Sequence, residues 1–215
     1  MSINMQSYRK SYEKSSLDEK DLALDPITQF QKWILEAEKS GTVLEVNAMT
    51  LNTIDATGYP RPRVVLLKKV DANGFSFYTN YQSLKGQAIE NNNKVSLSFF
   101  WPELERQIII LGTAERLSEK ESEAYFHSRP KGSQLGAISS PQSAPIPNRE
   151  YLEKRLAEET EAYKDVDLIP KPKHWGGYVV KPFSVEFWQG RPNRLHDRVE
   201  YTQQGEAWTK QRLAP

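Results

Sequence analysis

The feature that most constrains the fold is a hairpin signal in the first half of the chain. The run RVVLLKKV at Arg63–Val70 is apolar and β-branched, and the turn sequence DANG at Asp71–Gly74 connects it to FSFYT at Phe75–Thr79. Two strands joined by so short a turn pair antiparallel, because a parallel crossover needs about a dozen residues or more. The chain therefore builds an antiparallel sheet around this hairpin.

Further strands and helices are predicted on both sides of the hairpin. Strands are predicted at Val46–Ile54, KVSLSFFW (94–101), RQIIILGTAERL (106–117), Gly177–Val180, Ser184–Gln189, Arg194–Tyr201 and Ala207–Leu213. Helices are predicted after the capping residues Asp25, Ser83, Ser118 and Asn148, and at Gly132–Ser140. Because strands outnumber helices and rarely alternate with them, the pattern indicates a mainly β (α+β) barrel with helices packed on it.

Composition narrows the classes of function. The charges of the 29 basic and 28 acidic residues nearly cancel. The net charge of the chain is therefore too small to attract nucleic acid or an anionic membrane. The chain has no cysteine, which excludes disulfides and thiolate nucleophiles. His127, His174 and His196 lie far apart and lack metal-ligand spacing, so we expect no metal.

The amino-terminal segment is charged and aperiodic. We predict residues 1–24 as a flexible arm or lid and residues 25–215 as one domain. The segment lacks the apolar core of a signal peptide, and no run approaches the ~18 apolar residues of a membrane span. We therefore expect a cytoplasmic protein.

Several cations stand where an anion would stabilise them. Lys85 falls in the first turn of the helix that Ser83 caps, where the helix dipole disfavours an ammonium unless an anion is near. Arg63 and Lys68 are five residues apart, so a regular strand would point them to opposite faces unless a bulge intervenes. A solvated surface position remains an alternative for each cation.

Two other clusters favour anions for similar reasons. Tyr125, Arg129 and Ser133 share a helical face that Pro130 interrupts, which leaves the arginine at a helix junction. In RLHDR at Arg194–Arg198, a strand would put both arginines and the histidine on one face, although an exposed basic strand edge is equally common. The chain lacks both common glycine-rich phosphate loops, so side chains must hold any phosphate.

A series of longer motifs adds a family resemblance. The motifs are RVVLLKK at Arg63–Lys69, FYTN at Phe77–Asn80, ERQ at Glu105–Gln107, YFHSRPKGSQLGA at Tyr125–Ala137, QS at Gln142–Ser143, HWGGY at His174–Tyr178, EFWQGRPNRLHDR at Glu186–Arg198 and the terminal RLAP. With these motifs in this order, the chain resembles the pyridoxine/pyridoxamine 5′-phosphate oxidase family. The resemblance extends from about Tyr8 to Pro215.

The resemblance implies a fold, a cofactor and a reaction. The fold would be a split β-barrel of antiparallel strands with helices packed around it, in a homodimer that binds FMN in active sites at the subunit interface. The reaction would oxidise pyridoxamine 5′-phosphate and pyridoxine 5′-phosphate to pyridoxal 5′-phosphate, with hydride transfer from C4′ to FMN and reoxidation by dioxygen to give hydrogen peroxide. Two alternatives stay open: another split-barrel flavin reductase, and a non-catalytic carrier of FMN or of vitamin B6 phosphate.

Carried over position by position, the resemblance also implies site residues. Flavin contacts are expected at Arg63, Val64, Val65, Leu66, Leu67, Lys68, Tyr78, Thr79, Lys85, Gln107, Gln142, Ser143, Trp188 and Arg198. Substrate contacts are expected at Arg9, Lys10, Ser11, Tyr12, Lys68, Tyr125, Arg129, Ser133, Arg194, Leu195 and His196. Of these, Arg194 and His196 would lie over the substrate ring as the catalytic pair.

Two positions depart from the family pattern. Leu84 stands where family members usually carry arginine, and Lys10 replaces the second arginine of an Arg-Arg-x-Tyr lid segment. Lysine keeps the charge at position 10 but loses the fork geometry of a guanidinium.

The leucine generates a prediction about flavin affinity. A buried charge-assisted contact contributes about 1.5–3 kcal/mol to the free energy of binding. Leucine at position 84 loses such a contact with the flavin, and Arg63 and Lys85 offset part of this loss. Leu84→Arg should therefore lower the flavin dissociation constant in a fluorescence titration. An unchanged constant would contradict the interpretation of this position.

Overall fold

An antiparallel sheet forms the framework of the protein, which a computed structural model describes for residues 2–215. Its strands are β1 (Ala48–Ile54), β2 (Pro60–Leu66), β3 (Lys69–Asp71), β4 (Gly74–Asn80), β5 (Lys94–Trp101), β6 (Arg106–Arg116), β7 (Trp175–Gln189), β8 (Asp197–Gln204) and β9 (Ala207–Leu213). The strand order is β2-β1-β5-β6-β7-β4-β3, and β8 pairs with β7 and β9. Strands hold 34% of the residues and helices 29%, so the predicted mainly β class is confirmed.

Five α-helices accompany the sheet: α1 (Pro26–Ser40), α2 (Leu84–Asn91), α3 (Glu119–Ser128), α4 (Lys131–Ser139) and α5 (Arg149–Ala162). The predicted caps Asp25, Ser83, Ser118 and Asn148 each accept a hydrogen bond from the first turn of their helix. At Ser118 the capping box with Glu121 is complete. None of the helices among the described residues is both long enough and apolar enough to cross a membrane.

The chain folds into two units. The first comprises the chain up to Thr50, Ser96–Leu111 and Pro182–Pro215. In its core, α1 places Trp33 edge-on against Phe187, with ring centroids 5.1 Å apart, and Phe30 against Phe99 at 5.0 Å. Edge-to-face contacts of this kind add to the stabilisation from apolar burial.

The second unit comprises Leu51–Val95 and Gly112–Lys181. Its core joins Phe126 of α3, Leu135 of α4 and Trp175 of β7, all nearly inaccessible to solvent. Both helices therefore pack their apolar faces on the start of β7. This packing fixes the α3–α4 junction, where Arg129 and Pro130 lie.

The predicted strand at Arg63–Val70 is wrong in one respect. The strand β2 ends at Leu66, and β3 begins only at Lys69. The second half forms the predicted hairpin, because β3 and β4 pair antiparallel with Val70 opposite Phe75. Lys68 is outside both strands, although its N–H donates to Ser76 O at 2.8 Å.

The two strands predicted at Gly177–Val180 and Ser184–Gln189 are one strand, β7. Its first part pairs with β4 through Val180, and its last part pairs with β8 from Ser184 onwards. Pro182 lies between these two pairings. A strand that changes partner around a proline has the sequence pattern of two strands.

The strand predicted at Arg194–Tyr201 is also wrong at its start. A 3-10 turn occupies Pro192–Arg194, and β8 begins only at Asp197. Asn193 and Arg194 have left-handed backbone, with φ of 56° and 62°. Proline followed by asparagine favours such a turn. Arg194, His196 and Arg198 therefore do not share one strand face.

Candidate functional site

A cavity of about 950 Å³ opens in the second unit. Four cationic side chains line it: Arg63, Lys68, Lys85 and Arg129. No carboxylate occurs among the described residues of its lining. The cavity therefore presents positive charge without an acidic partner, which is the environment that an anionic ligand requires.

The interruption between β2 and β3 brings Arg63 and Lys68 to this cavity. Arg63 Nη1 donates to Leu51 O at 3.2 Å and to Thr53 Oγ1 at 2.8 Å, which fixes its guanidinium against β1. Both cations line the cavity although an odd separation in a regular strand would point them apart. The non-strand residues Leu67 and Lys68 supply the irregularity that the odd spacing requires.

Lys85 comes to the cavity from the first turn of α2. Its Nζ lies 3.1 Å from Gln142 Oε1, which also accepts a hydrogen bond from Thr79 Oγ1 at 3.3 Å. Burial, together with the nearby Arg63 guanidinium, lowers the pKa of Lys85 below its usual range. The structure thus brings four predicted flavin contacts, Arg63, Thr79, Lys85 and Gln142, to one wall. Among the residues that the structure describes, Lys85 forms no ion pair with a carboxylate there.

Ser143 extends this wall with an unusual backbone. Its φ is 74°, in the left-handed region that a residue with a side chain rarely adopts. Strained backbone of this kind clusters at ligand-binding sites, because the surrounding structure must maintain it.

Arg129 lies at the α3–α4 junction, as the proline predicted. Its guanidinium carbon is 4.8 Å from the ring centroid of Trp175, a cation–π distance. Its Nη1 is buried and has no hydrogen-bond partner among the described residues. Burial lowers the pKa of Arg129 below its usual range. An oxyanion in the cavity would satisfy this guanidinium nitrogen.

Aromatic rings form the wall beside Arg129. Tyr78 and Tyr125 stack with centroids 3.8 Å apart, and Trp175 continues the stack 5.6 Å from Tyr78. Tyr78, Tyr125 and Ser133 all line the cavity. Trp175 was not among the predicted contacts, although its motif HWGGY was recognised. Its contribution to the cavity wall, a ring beneath the Arg129 guanidinium, becomes visible only in the structure.

A second cavity, of about 710 Å³, opens in the first unit. Its lining includes six predicted substrate contacts: Arg9, Lys10, Ser11, Tyr12, Arg194 and His196. The Tyr12 ring lies 5.8 Å from the His196 ring and 5.7 Å from that of Trp188. The amino-terminal segment therefore meets the loop before β8.

His196 is oriented by this loop. Its Nδ1 accepts a hydrogen bond from Arg191 N at 3.0 Å. A neutral imidazole with Nδ1 as acceptor carries its hydrogen on Nε2, so Nε2 is the donor. The left-handed residues Asn193 and Arg194 form the loop between these two positions.

The remaining predicted contacts have different surroundings. Arg198 forms a bidentate ion pair with Glu186, at 2.7 and 2.9 Å, and donates to Ala214 O. Gln107 is partly buried in β6, and Leu195 is largely exposed. Within residues 2–215 no group of three or more His, Asp or Glu side chains could hold a metal ion.

Comparison with known proteins identifies the family. Residues 35–162 match the family model described as pyridoxamine 5′-phosphate oxidase. Residues 175–215 match the pyridoxine 5′-phosphate oxidase C-terminal dimerisation region. The chain belongs to the pyridoxamine 5′-phosphate oxidase family.

Relatives named as oxidases of this family are similar over nearly the whole chain. A pyridoxine/pyridoxamine 5′-phosphate oxidase from Flavobacterium johnsoniae is 56% identical over 212 residues, which cover 98% of this chain and 99% of the relative. One from Christiangramia forsetii is 51% identical over 215 residues, with both chains covered completely.

A solved structure from the family supports the fold. PhzG from Burkholderia lata 383, crystallised in complex with tetrahydrophenazine-1-carboxylic acid, matches with a TM-score of 0.88 and 29% identity. The match covers 96% of this chain and 100% of PhzG. The split-barrel fold implied by the resemblance is confirmed.

Proposed function

We propose that this protein uses FMN to oxidise pyridoxamine 5′-phosphate and pyridoxine 5′-phosphate to pyridoxal 5′-phosphate. The oxidases at 51–56% identity over nearly the whole chain support this activity. We favour it over a flavin reductase because the chain has the Arg194 and His196 pair, and over a carrier because these relatives are named oxidases. The proposal includes a homodimer, which the match to a dimerisation region supports. It also includes active sites at the subunit interface.

The observation that carries the proposal is the positive cavity with the unpaired Nη1 of Arg129. FMN and the substrate each bring one phosphate, and the cavity offers two groups of donors. Arg63, Lys85 and the backbone around Ser143 would hold the flavin phosphate. Arg129, with Tyr125 and Ser133, would hold the substrate phosphate, and Lys68 would contact both ligands.

The donor set fits FMN by its chemistry. Lys85 and Arg63 have pKa values lowered mainly by burial, so a phosphate would recover part of the cost of desolvating them. The hydroxyl of Thr79 and the amide of Gln142 add neutral hydrogen-bonding groups. Bound FMN would supply the redox chemistry, a two-electron oxidation at C4′ with dioxygen as the final acceptor and hydrogen peroxide as its product.

The role of the protein is to orient the substrate. A guanidinium held over Trp175 is rigid, so a phosphate bound to Arg129 fixes one end of the substrate. Arg194 and His196 would contact the pyridine ring and its substituents, where they supply hydrogen-bond donors as electron density shifts. The hydrogen bond from Arg191 N fixes the His196 ring. Nε2 would then be the nitrogen that contacts the substrate.

The proposal is tested by activity in air. Purified protein should be yellow, and pyridoxine 5′-phosphate should yield peroxide and an aldehyde absorbance. Arg129→Met should raise KM for this substrate about tenfold to a hundredfold, because a buried charge-assisted contact of about 1.5–3 kcal/mol is lost. Flavin content should not change.

Arg149→Met is the matched control, since Arg149 is exposed on α5 and pairs only with Glu153 among its described ion-pair contacts. An unchanged KM for Arg129→Met would remove Arg129 from the phosphate site. A yellow protein that binds pyridoxal 5′-phosphate but forms neither peroxide nor aldehyde would favour a carrier.

His196→Ala tests the proposed catalytic pair. Turnover should fall about a hundredfold or more while the protein stays yellow, because the variant loses an oriented donor over the ring. His174→Ala, outside both cavities, should leave turnover unchanged. A colourless His196→Ala protein would instead place His196 in the flavin site.

The pKa of Lys85 gives a pH dependence. A bound phosphate raises this lowered pKa, so binding takes up a proton at alkaline pH. The FMN dissociation constant should therefore rise as pH increases from the lowered pKa towards the ordinary lysine value of 10.5. Lys85→Arg should abolish the rise, since arginine stays protonated there. Fluorescence titrations with equal pH dependence for both proteins would contradict this role.

A further inference from the structure

Two carboxylates hold the amino-terminal segment through its main chain. Glu105 Oε2 accepts hydrogen bonds from Glu13 N at 2.8 Å and Lys14 N at 3.0 Å. Asp197 Oδ2 accepts one from Leu17 N at 3.0 Å. Since backbone N–H groups are the donors, these contacts fix the path of the segment whatever side chains it carries.

Glu105 has an unusual position for an acidic residue. It is only 2% exposed, and its φ of 55° is in the left-handed region. Its carbonyl accepts a hydrogen bond from Gly190 N at 2.7 Å, which links it to the end of β7. A buried carboxylate requires hydrogen-bond donors, and the two N–H groups of the segment supply them. Undocking the segment would therefore leave the buried Glu105 carboxylate without these two donors, which would cost free energy.

Arg212 completes the second attachment. Its Nη1 donates to Asp197 Oδ1 at 2.7 Å, and its Nη2 donates to Leu17 O at 2.9 Å. Glu19 accepts two further bonds from the same guanidinium, which lower the pKa of Glu19 to about 2. The segment is thus attached to β8 and β9 by an ion pair that stays charged at neutral pH.

The attachment sets the position of Tyr12. Its ring lies on Gly190, where an added Cβ would come within 2.8 Å of Tyr12 Cβ and Cγ. The same ring contacts Trp188 edge-on and lies beside His196. Tyr12 directly precedes Glu13, so the hydrogen bonds at Glu105 determine where this ring lies.

We propose that Glu105 and Asp197, with Arg212, form an arm latch that holds residues 9–12 over the second cavity, where the proposed function puts the pyridine ring of the ligand. They are positioning residues: they act through Tyr12 and its neighbours and touch neither the substrate nor the cofactor. The inference rests on the proposed function for the identity of the ligand. It assigns a role to the buried Glu105, which none of the predicted contacts includes.

Glu105→Gln tests the latch in the flavin-loaded protein. The amide keeps the size of the side chain but loses the charge that strengthens both N–H bonds. Trypsin cleavage after Lys10 and Lys14 should accelerate about fivefold or more. The dissociation constant for pyridoxal 5′-phosphate, followed by absorbance, should rise about tenfold, while flavin content stays constant.

Glu103→Gln is the matched control, because Glu103 is exposed and meets the segment through its carbonyl, which accepts from Lys14 Nζ. Should Glu105→Gln fail to fold, Glu19→Gln at the exposed end of the latch should change both readouts in the same direction by about twofold. Cleavage and affinity equal to those of the unmodified protein would overturn the latch.

Faster cleavage with unchanged affinity would also overturn it, since the segment would then dock without positioning the ligand. Cleavage and ligand binding need no turnover. Absence of oxidase activity would therefore count against the proposed function, while these two readouts still decide the latch.

Discussion

The positive charge of the larger cavity is the constraint on which the proposed site depends. Four cations line that cavity without a carboxylate among the described residues, and burial lowers the pKa of three of them, Arg63, Lys85 and Arg129. Desolvated like charges destabilise a fold unless an anion compensates them. The protein therefore carries a local electrostatic cost that phosphate-bearing ligands would offset, which explains how a chain with nearly balanced charge can bind anions.

Irregular backbone delivers these cations to the cavity. The gap between β2 and β3 turns Lys68 to the side that Arg63 occupies, and Pro130 ends one helix at Arg129 and caps the next. Within residues 2–215 the non-glycine residues with positive φ are Glu105, Ser143, Asn193 and Arg194, all of them in or beside the two candidate cavities or the arm latch. Strain is thus confined to segments for which ligand binding or arm docking offers a physical reason.

Local chemistry explains what the sequence could predict. The DANG turn, the Asp25 and Ser118 caps and the Pro130 break depend on residues within a few positions of each other, and the structure confirms them. Periodicity failed where a strand-like pattern runs through a local turn or through a change of pairing partner. Residues 194–196, at the end of the 3-10 turn and just after it, were predicted as the start of a strand, and the single strand β7 was predicted as two. Trp175 lies beneath Arg129, and Glu105 lies beneath the amino-terminal arm. Both contacts join segments that are far apart in the sequence, so residue spacing cannot predict them.

The central claim is that two groups of cations in one cavity hold two different phosphates. A crystal structure of the flavin-loaded protein with pyridoxal 5′-phosphate measures this directly. We expect the flavin phosphate on Arg63 and Lys85, and the pyridoxal phosphate group on Arg129 Nη1 with Ser133. Both phosphates bound elsewhere, or Arg129 paired with a carboxylate of the protein, would contradict it.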